Sequence, residues 1–502
     1  NIQPLSDDYV KFIRIAQWLI EENQVGIVAF ITNNSWLDSR IFRIMRKELS
    51  RTFNNIYIVN LHGNVRKKQK GNPFDIMVGV CIVFFVRSSN QPINKINILY
   101  RDISTPSKQE KLHTLTKSFD LSQFQPLPIT PEYLFIPIKI NSNLLFRYQK
   151  FIPLDHLFKH IVCGIKTHRD KFLVNTDKKQ LQRNIRLFFE DEHTLREQGI
   201  FLRSTRDWFK EKVQKSDILD IALSNIKIEG YRGFDSRFLC YNEDLLEPGC
   251  SRRDFMKNIS KENPAICVTK QLITIPFNHA FITDKPFDIC FLSTNSKESA
   301  YGLILNHNGN SNLKVPKLSY KVDPEEVFYY IYGILNSSVF RLRYEECLVR
   351  NFPCIPFTED EAIFKAMSHI GERLANLHLL NSPTLNPSRF PINKREEWRV
   401  INYKYNQELQ RIYIESSRVR KPKSSNWIGS ITPEMWQYKI GNLAQLENWL
   451  KVRKNNGKHQ KYQLTNPLCE REILQFLIIC DSIAQTLDIL PKINEIYQKI
   501  DP

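Results

Sequence analysis

The stretch Val25-Gly-Ile-Val-Ala-Phe-Ile-Thr32 is almost wholly apolar and rich in β-branched residues. This pattern is typical of a strand buried on both faces of a parallel sheet. Apolar residues at helical spacing follow between Ser39 and Thr52. Two more apolar runs, at residues 56–61 and 74–86, are separated by a cationic loop. The order strand, helix, strand, loop, strand predicts an α/β fold for the first part of the chain.

The size and charge of the chain suit a multidomain protein with a polyanionic partner. Its 502 residues are 42% hydrophobic and 25% charged, which is ordinary for globular domains. Lysine and arginine number 71 against 53 acidic residues, giving a net charge of +18. Because phosphate neutralisation supplies much of nucleic-acid affinity, this excess favours a nucleic-acid partner. The alternative is that the charge serves solubility alone.

The cysteines and apolar segments bear on metal, redox and membrane roles. Ten cysteines are spread along the chain without a CxxC pair, so we predict no zinc ribbon and no other metal site. Their apolar neighbours indicate reduced core thiols, and we expect a cytoplasmic protein. The sequence has no signal peptide and no apolar run of membrane-spanning length, so we expect no membrane partner.

Six motifs along the chain carry a family resemblance. They are Phe30-Ile-Thr-Asn-Asn-Ser-Trp-Leu-Asp38, Ile58-Val-Asn-Leu-His-Gly-Asn64, Asn72-Pro-Phe-Asp-Ile-Met-Val-Gly-Val80, Gly164-Ile-Lys-Thr-His-Arg-Asp-Lys-Phe172, Tyr231-Arg-Gly-Phe-Asp-Ser-Arg237 and Asn351-Phe-Pro-Cys-Ile-Pro-Phe357. The sequence resembles N6-adenine DNA methyltransferases, and more closely the single-chain restriction–modification enzymes of Type ISP and their relatives. Gly233 stands where that family has proline, and Cys354 stands where it has arginine.

The resemblance implies that the chain is the carboxy-terminal portion of such an enzyme. Residues 1–130 would form the distal half of a Rossmann-like methyltransferase domain with a mostly parallel sheet. Residues 140–381 would form a mixed α+β target recognition domain, and residues 392–502 its C-terminal helical part. The parent enzyme would transfer a methyl group from S-adenosylmethionine to N6 of adenine within a specific double-stranded DNA site.

The sequence does not contain a complete catalytic centre. The family's Asn/Asp-Pro-Pro-aromatic loop, which accepts hydrogen bonds from the adenine amino group, does not occur in residues 1–24. The Gly-containing loop for the methyl donor is not found either. We therefore expect both loops in an upstream half of the same enzyme or in a partner chain. A half-sheet would expose an apolar edge, so we expect the fragment to need that other half.

Two other functional classes remain open from the sequence. One is a non-catalytic DNA-specificity protein whose partner chain supplies the methyl-transfer site. The other is an RNA-binding or RNA-modifying protein with the same half-fold. The upstream reading frame tests the first, and competition between duplex DNA and structured RNA tests the second.

Phe74 is the candidate for stacking on the target base. A DNA methyltransferase must rotate its base out of the duplex, and in the family an aromatic residue at the matching position stacks on the extruded adenine. The alternative is that Phe74 packs as a core residue under the loop. The run Arg66, Lys67, Lys68 and Lys70 just before it would bind phosphates around that base, or else be a solvated surface loop.

Other polar residues are candidates for the pocket edge and for DNA contact. Asn33 and Asn34 follow a strand end and would shape the edge of the pocket, or else cap the next helix. Arginine can pair with guanine, and lysine or threonine with phosphate. The structural alternatives are an Arg169–Asp170 ion pair and an arginine held by Asp235. The predicted DNA-binding set in the recognition domain is Lys166, Thr167, Arg169, Arg232, Arg237, Arg252 and Arg253.

Overall fold

The chain divides into two compact units, Asn1–Asn143 (unit 1) and Leu144–Pro502 (unit 2). The structure, a computed structural model, describes residues 3–65, 70–74, 76–89, 96–116, 120–130, 132–138, 140–273, 275–295, 297–415, 426–454 and 468–502. The predicted boundaries at residues 130 and 140 lie just before the observed division. The parts predicted for residues 140–381 and 392–502 belong to one unit.

Unit 1 is built on a five-stranded sheet. Its helices are α1 (Asp8–Asn23), α2 (Arg43–Thr52) and α3 (Lys108–Thr116). Its strands are β1 (Gly26–Asn33), β2 (Asn55–His62), β3 (Val80–Arg87), β4 (Asn97–Asp102) and β5 (Gln125–Leu127). The predicted succession of strand, helix, strand, loop and strand in residues 25–86 is therefore confirmed.

The sheet of unit 1 is mainly antiparallel, so the predicted mostly parallel sheet is wrong. The strand order is β1-β3-β2-β4-β5, and only β2 and β4 pair in parallel. Strand β3 returns directly from the turn that follows β2 and inserts between β1 and β2, antiparallel to both. Strands β1 and β2 still run in the same direction and are joined through α2.

Helices α1 and α2 cover one face of this sheet. Ile13 and Ile20 of α1 and Leu49 of α2 pack with Ile56 and Phe85 of the sheet. At the centre of α2, Arg46 is fully buried. Its guanidinium donates to the backbone carbonyls of residues 36, 39, 132 and 133. These bonds join α2 to the segment that ends unit 1.

Strand β1 forms an exposed apolar edge, as expected for a half-sheet. In the part of unit 1 that the structure describes, no strand pairs with its outer side. Ile27 is 70% exposed and Ile31 57% exposed on one face of the strand. Helix α1 also exposes apolar side chains, namely Phe12, Ile15, Trp18 and Leu19. Soluble proteins usually protect an edge of this kind with charges, bulges or a covering element.

Unit 2 contains several small sheets and more helices than unit 1. The strands are β6 (Ile152–Pro153), β7 (Val162–Cys163), β8 (Val174–Asn175), β9 (Ile226–Arg232), β10 (Asp235–Cys240), β11 (Ala265–Thr269), β12 (Ala280–Thr283), β13 (Ala300–Leu303), β14 (Asn306–His307), β15 (Asn310–Ser311), β16 (Cys354–Ile355), β17 (Ile392–Asn393), β18 (Asn402–Asn406), β19 (Arg411–Glu415), β20 (Asn426–Ile428), β21 (Lys439–Ile440) and β22 (Leu443–Ala444). The helices are α4 (Ser142–Tyr148, across the division), α5 (Leu154–Leu157), α6 (Asp170–Leu173), α7 (Lys178–Glu190), α8 (Glu192–Glu197), α9 (Lys210–Gln214), α10 (Leu219–Ser224), α11 (Arg253–Met256), α12 (Pro324–Asn336), α13 (Ser338–Arg343), α14 (Glu345–Leu348), α15 (Glu361–His378), α16 (Pro433–Gln437), α17 (Gln445–Arg453) and α18 (Glu470–Ile500).

One hydrophobic core runs through most of unit 2. Its main sheets have the orders β8-β10-β9, β12-β11-β13-β7 and β17-β20-β19-β18. Core residues such as Phe281 and Leu239 belong to the same cluster as Ile414, Trp449 and Phe476. The predicted mixed α+β character is confirmed. Strands β17 to β20 form a sheet, so the helical character predicted for residues 392–502 applies only to helices α16, α17 and α18, which follow it.

The final helix, α18, is a core element of unit 2. It has 31 residues and is apolar and long enough to cross a membrane, by length and composition alone, so the prediction that the sequence has no apolar run of that length is wrong. It packs against α12, α13, α15, α16 and α17. Its buried side includes Phe476, Ile483 and Tyr497. This packing accounts for its apolar composition.

Candidate nucleic-acid interface

The carboxyl ends of three strands of unit 1 are joined by side-chain hydrogen bonds. Asn34 Nδ2 donates to Asn60 Oδ1 at 2.9 Å, and Asn60 Nδ2 donates to Tyr100 Oη at 2.9 Å. Burial raises the pKa of Tyr100, so the phenol stays neutral and accepts this bond. Because β1, β2 and β4 share one direction, their ends meet here. Ligands of open α/β sheets bind at such an edge.

The two asparagines predicted for the pocket edge have different roles in this network. Asn33 Oδ1 accepts a hydrogen bond from the Ser35 backbone N–H at 2.8 Å and caps a short 3₁₀ helix. Asn34 also donates its backbone N–H to Gly79 O at 2.9 Å. A Cβ at Gly79 would lie 2.6 Å from the Asn34 side chain, so a larger residue at position 79 would displace that side chain. Asn34 thus lies at the predicted edge, while Asn33 has the capping role.

Phe74 lies on a closed turn beside these strand ends. Asn72 Nδ2 donates to Val78 O at 2.6 Å and to Gly63 O at 3.2 Å, which closes the turn. Asn72 Oδ1 accepts the backbone N–H of Phe74 at 2.9 Å. Phe74 is 50% exposed, so it is not a core residue. Its stacking on a base stays a prediction.

A buried lysine holds the base of this turn. Lys111 is fully buried, and its Nζ donates to Leu61 O at 2.6 Å and Lys70 O at 3.3 Å. Burial lowers the pKa of Lys111. Among the predicted phosphate contacts of the turn, Lys70 is exposed. The other three, Arg66, Lys67 and Lys68, lie outside the described residues.

Thr167 and Arg169 lie inside unit 2. Thr167 accepts the backbone N–H of Arg169 at 3.1 Å and donates its hydroxyl to Asp170. The guanidinium of Arg169 is 2.9 Å from Glu247 Oε2 and 3.7 Å from the centroid of the Trp208 ring. The structural alternative therefore describes Arg169, but its ion-pair partner is Glu247 and not Asp170.

Arg232 and Arg237 surround an aromatic ring within unit 2. Their guanidinium carbons lie 3.9 and 3.8 Å from the centroid of the Tyr231 ring. Arg232 Nη1 is 2.6 Å from Asp288 Oδ1, and Arg237 Nε is 3.0 Å from Asp235 Oδ2. Both arginines thus have carboxylate partners in the fold. DNA contact by them, and by Thr167 and Arg169, stays a prediction.

Buried carboxyl groups accompany these arginines. Glu229 is fully buried, and both of its carboxyl oxygens have no hydrogen-bond partner in the described part of the chain. Burial raises the pKa of Glu229 well above its usual range, and the nearby Asp288 and Asp170 raise it further. Burial also raises the pKa of Asp288 to about 6, although Arg232 opposes the rise. Burial therefore favours the protonated form of Glu229.

The remaining predicted basic residues lie at the surface of unit 2. Lys166 is exposed, and its backbone N–H donates to Cys250 O at 3.3 Å, so its loop adjoins the loop of Arg252 and Arg253. The Arg253 side chain is 51% exposed and its Nε is 3.3 Å from Glu243. Arg252 has a φ of 54°, which is uncommon outside glycine. Lys166, Arg252 and Arg253 therefore form an accessible basic surface.

The model of the family described as the Type ISP C-terminal specificity domain matches residues 156–475, which is more than half of the chain. The chain belongs to this family. The resemblance stated from the sequence motifs is confirmed. No curated protein matches the chain.

Solved structures extend the likeness of this specificity domain over both units. A nuclease-deletion mutant of the Type ISP restriction–modification enzyme LlaGI, in complex with a DNA substrate mimic, is 20% identical with a TM-score of 0.64; the match covers 98% of this chain and 41% of that one. The ATP-dependent Type ISP enzyme LlaBIII bound to DNA is 22% identical with a TM-score of 0.64, covering 97% and 34%. The DrdV–DNA complex is 20% identical with a TM-score of 0.64, covering 97% and 52%. The chain thus spans roughly a third to a half of these proteins, and the likeness is one of fold.

The sequence did not indicate two residues that hold loops in place, Glu247 in unit 2 and Lys111 in unit 1. Glu247 joins two loops, because Thr205 Oγ1 donates to its Oε1 at 3.0 Å while Arg169 binds its Oε2. Lys111 fixes the turn of Phe74 from a helix whose pattern looks like an ordinary surface helix. Both residues act through backbone or distant partners, so no local motif indicates them.

Proposed function

We propose that unit 2 recognises a specific site in double-stranded DNA, and that unit 1 is the distal half of an N6-adenine DNA methyltransferase. The donor-binding and catalytic loops would lie in an upstream half of the same enzyme or in a partner chain. Membership of the Type ISP specificity family supports DNA recognition. The net charge of +18 and the accessible basic surface of unit 2 support a phosphate-rich partner.

The observation that carries the methyltransferase proposal is the position of Phe74. Its turn adjoins the aligned strand ends, because Asn72 binds Val78 O and Asn34 binds the next carbonyl, Gly79 O. The ring is half exposed at this edge. An extruded base could stack on such a ring, a contact that contributes ~1–3 kcal/mol.

The residues at these strand ends do not fit the methyl donor themselves. The side chains of Asn33 and Asn34 are used for the helix cap and for Asn60. The carboxylate of Asp102 is paired with His62. S-adenosylmethionine would therefore be held by another segment, and these residues would serve the base and not the donor.

The test is methyl transfer and binding by the full-length protein. With labelled S-adenosylmethionine, we expect label on N6 of adenine in one duplex sequence and not in scrambled duplexes. Label on cytosine, or on no base, would contradict the methyltransferase assignment. In binding competition we expect duplex DNA to displace structured RNA, and the reverse preference would contradict DNA as the partner.

The exposed β1 edge supports a second candidate function. A separate partner chain could add a strand to this edge and bring the methyl-transfer site with it, making this chain a non-catalytic DNA-specificity protein. In that case the purified protein would bind its site specifically but transfer methyl groups only after the partner is added.

A further inference from the structure

A cleft of about 540 Å³ lies in unit 2 beside the accessible basic surface. Its charged or titratable lining is His160, Glu243, Arg252, Arg253, Asp254 and His307. A second hollow of about 340 Å³ shares both histidines and adds Lys159. The two hollows meet at the histidine pair. The sequence motifs do not include either histidine.

The two histidines are held in fixed positions. Their ring centroids are 4.6 Å apart, with an interplanar angle of 37°. Asn312 fixes the first, since its Oδ1 accepts the backbone N–H of His160 at 2.7 Å and its Nδ2 donates to His160 O at 3.0 Å. A two-residue turn fixes the second. Asn308 and Gly309, with φ of 50° and 78°, join β14 to β15 and place His307 at the start of the turn.

The charges in the cleft leave Arg252 without a carboxylate partner among the described residues. Glu243 is 3.3 Å from Arg253, and Asp254 is 2.9 Å from Lys257. Arg252 Nη1 donates to Gly249 O at 2.7 Å, but its Nε is buried without a hydrogen-bond partner.

The backbone of Arg252 gives a second, independent sign of function. It is left-handed at a position directly before α11. Such conformations persist where the surrounding structure imposes them, and they cluster at ligand sites. An arginine that lines a cleft beside two imidazoles, and has no carboxylate partner among the described residues, fits an oxyanion.

We propose that this cleft binds a phosphate of the DNA backbone, with Arg252 as its main contact and the His160–His307 pair as a second contact that depends on protonation. The proposal rests on DNA recognition by unit 2. The guanidinium fork suits the geometry of phosphate oxygens. Imidazolium N–H groups are donors to oxyanions. A phosphate beside the two rings would offset the repulsion that two close imidazolium groups otherwise feel.

The histidine pair gives the site a pH dependence. Burial lowers the pKa of His307, and the adjacent His160 lowers it further. A bound phosphate favours the protonated imidazole, so affinity for DNA rises as pH falls from about 7 to about 5, the range in which a histidine of lowered pKa takes up its proton. The charged groups that face the pair are Lys159, Glu243, Arg252, Arg253, Asp254 and Lys257, of which Lys159 donates to Ser311 O at 2.8 Å.

The first test is Arg252→Asn in the full-length protein, measured by titration with a duplex of fixed sequence at several salt concentrations. Asparagine tolerates the left-handed backbone, so the variant removes the guanidinium without added strain. We expect weaker binding and a slope of log K against log salt that falls by about one. Arg253→Gln, which removes an arginine already paired with Glu243, should change the slope less. Equal effects of both variants, or an unchanged slope, would overturn the proposal.

The second test leaves the protein unaltered. Duplexes with a single neutral methylphosphonate at successive positions should include one position that weakens binding and also removes its dependence on pH between about 5 and 7. His160→Gln with His307→Gln should remove the same pH dependence, with unchanged melting temperature. If the protein binds DNA but no position behaves in this way, the cleft proposal fails while DNA recognition stands. If it binds no DNA, the proposed function itself fails.

Discussion

Tyr231 in unit 2 and Phe74 in unit 1 each lie close to basic residues in the sequence. The ring of Tyr231 is covered by the guanidinium groups of Arg232 and Arg237, whose charges are balanced by buried carboxylates. The ring of Phe74 is half exposed on a turn closed by Asn72. An aromatic–basic motif is therefore part of the interior where buried carboxylates, such as Asp235 and Asp288, pair with its arginines. It is accessible to a ligand where the ring keeps contact with solvent.

The largest expected effect comes from breaking the interior motif. Arg232→Ala leaves Asp288 buried without its arginine, 2.6 Å from where Nη1 was. Removing one partner of a buried ion pair costs about 3–5 kcal/mol. We expect the free energy of unfolding of unit 2, measured by urea denaturation, to fall by that amount. Unchanged stability would contradict the interior role of this motif.

Arg237→Ala is the matched comparison within the same motif. Asp235 has a second partner, since Arg453 Nη1 lies 3.2 Å from its Oδ1. The carboxylate therefore remains paired when Arg237 is removed, and the loss of stability should be clearly smaller than for Arg232→Ala.

Removing the exposed ring of Phe74 should lower activity and leave stability nearly unchanged. Phe74→Ala in the full-length protein should slow methyl transfer by roughly 5- to 150-fold, the equivalent of ~1–3 kcal/mol of lost stacking. Binding of the duplex and the melting temperature should change little, because the ring is half exposed. Methyl transfer is measured with labelled S-adenosylmethionine, and binding by fluorescence anisotropy.

Two variants control for the exposed ring. Met77→Ala removes another exposed apolar side chain, 60% exposed, from the same turn and should leave methyl transfer intact. Phe74→Tyr keeps a stacking ring and should retain most activity. Equal losses of binding and methyl transfer in Phe74→Ala would remove the stacking assignment.

Strand order shows what the sequence determines in unit 1. The apolar runs of β1, β2 and β3 predict three strands, and the helical spacing of residues 39–52 predicts the helix between the first two. The direction of β3 is not written in its side chains, because a buried strand looks the same in either direction. It follows from tertiary contacts, such as the hydrogen bond from the Asn34 backbone N–H to Gly79 O.

In unit 2, the sequence does not distinguish arginines that are paired inside the fold from arginines that are available to a ligand. The arginines of the motif at 231–237 and those at 252 and 253 have the same chemistry in sequence. What separates them is Asp288, which lies 56 residues after Arg232 and cannot be assigned to it without the fold. Residue type indicates which side chains could bind phosphate. Burial and distant carboxylates decide which remain available.

The pH dependence of the free energy of unfolding tests the protonation of the buried Glu229. Burial raises its pKa in the folded chain, so folding favours its protonated form. The stability that this gives is complete below the unfolded pKa, about 4.3, and is lost as pH rises toward the folded pKa. The loss can reach about 1.4 kcal/mol per pH unit. Glu229→Gln should remove this loss, so the stability of the variant relative to the wild-type protein should increase as pH rises above about 4.3. A pH-independent difference would show that Glu229 is not protonated in the fold.

The smallest effect on DNA binding is expected from substituting Lys166 in the accessible basic surface. Lys166→Gln removes one exposed charge, which should weaken duplex binding slightly and lower the slope of log K against log salt by about one, without loss of stability. Lys365→Gln makes the same charge change on α15, where the ammonium is 2.6 Å from Glu361, and should leave the slope unchanged. If both lysines lower the slope equally, the response reflects net charge alone. A separate effect of Lys166 would place its loop on the DNA and complete the contrast with the interior arginines, which affect stability first.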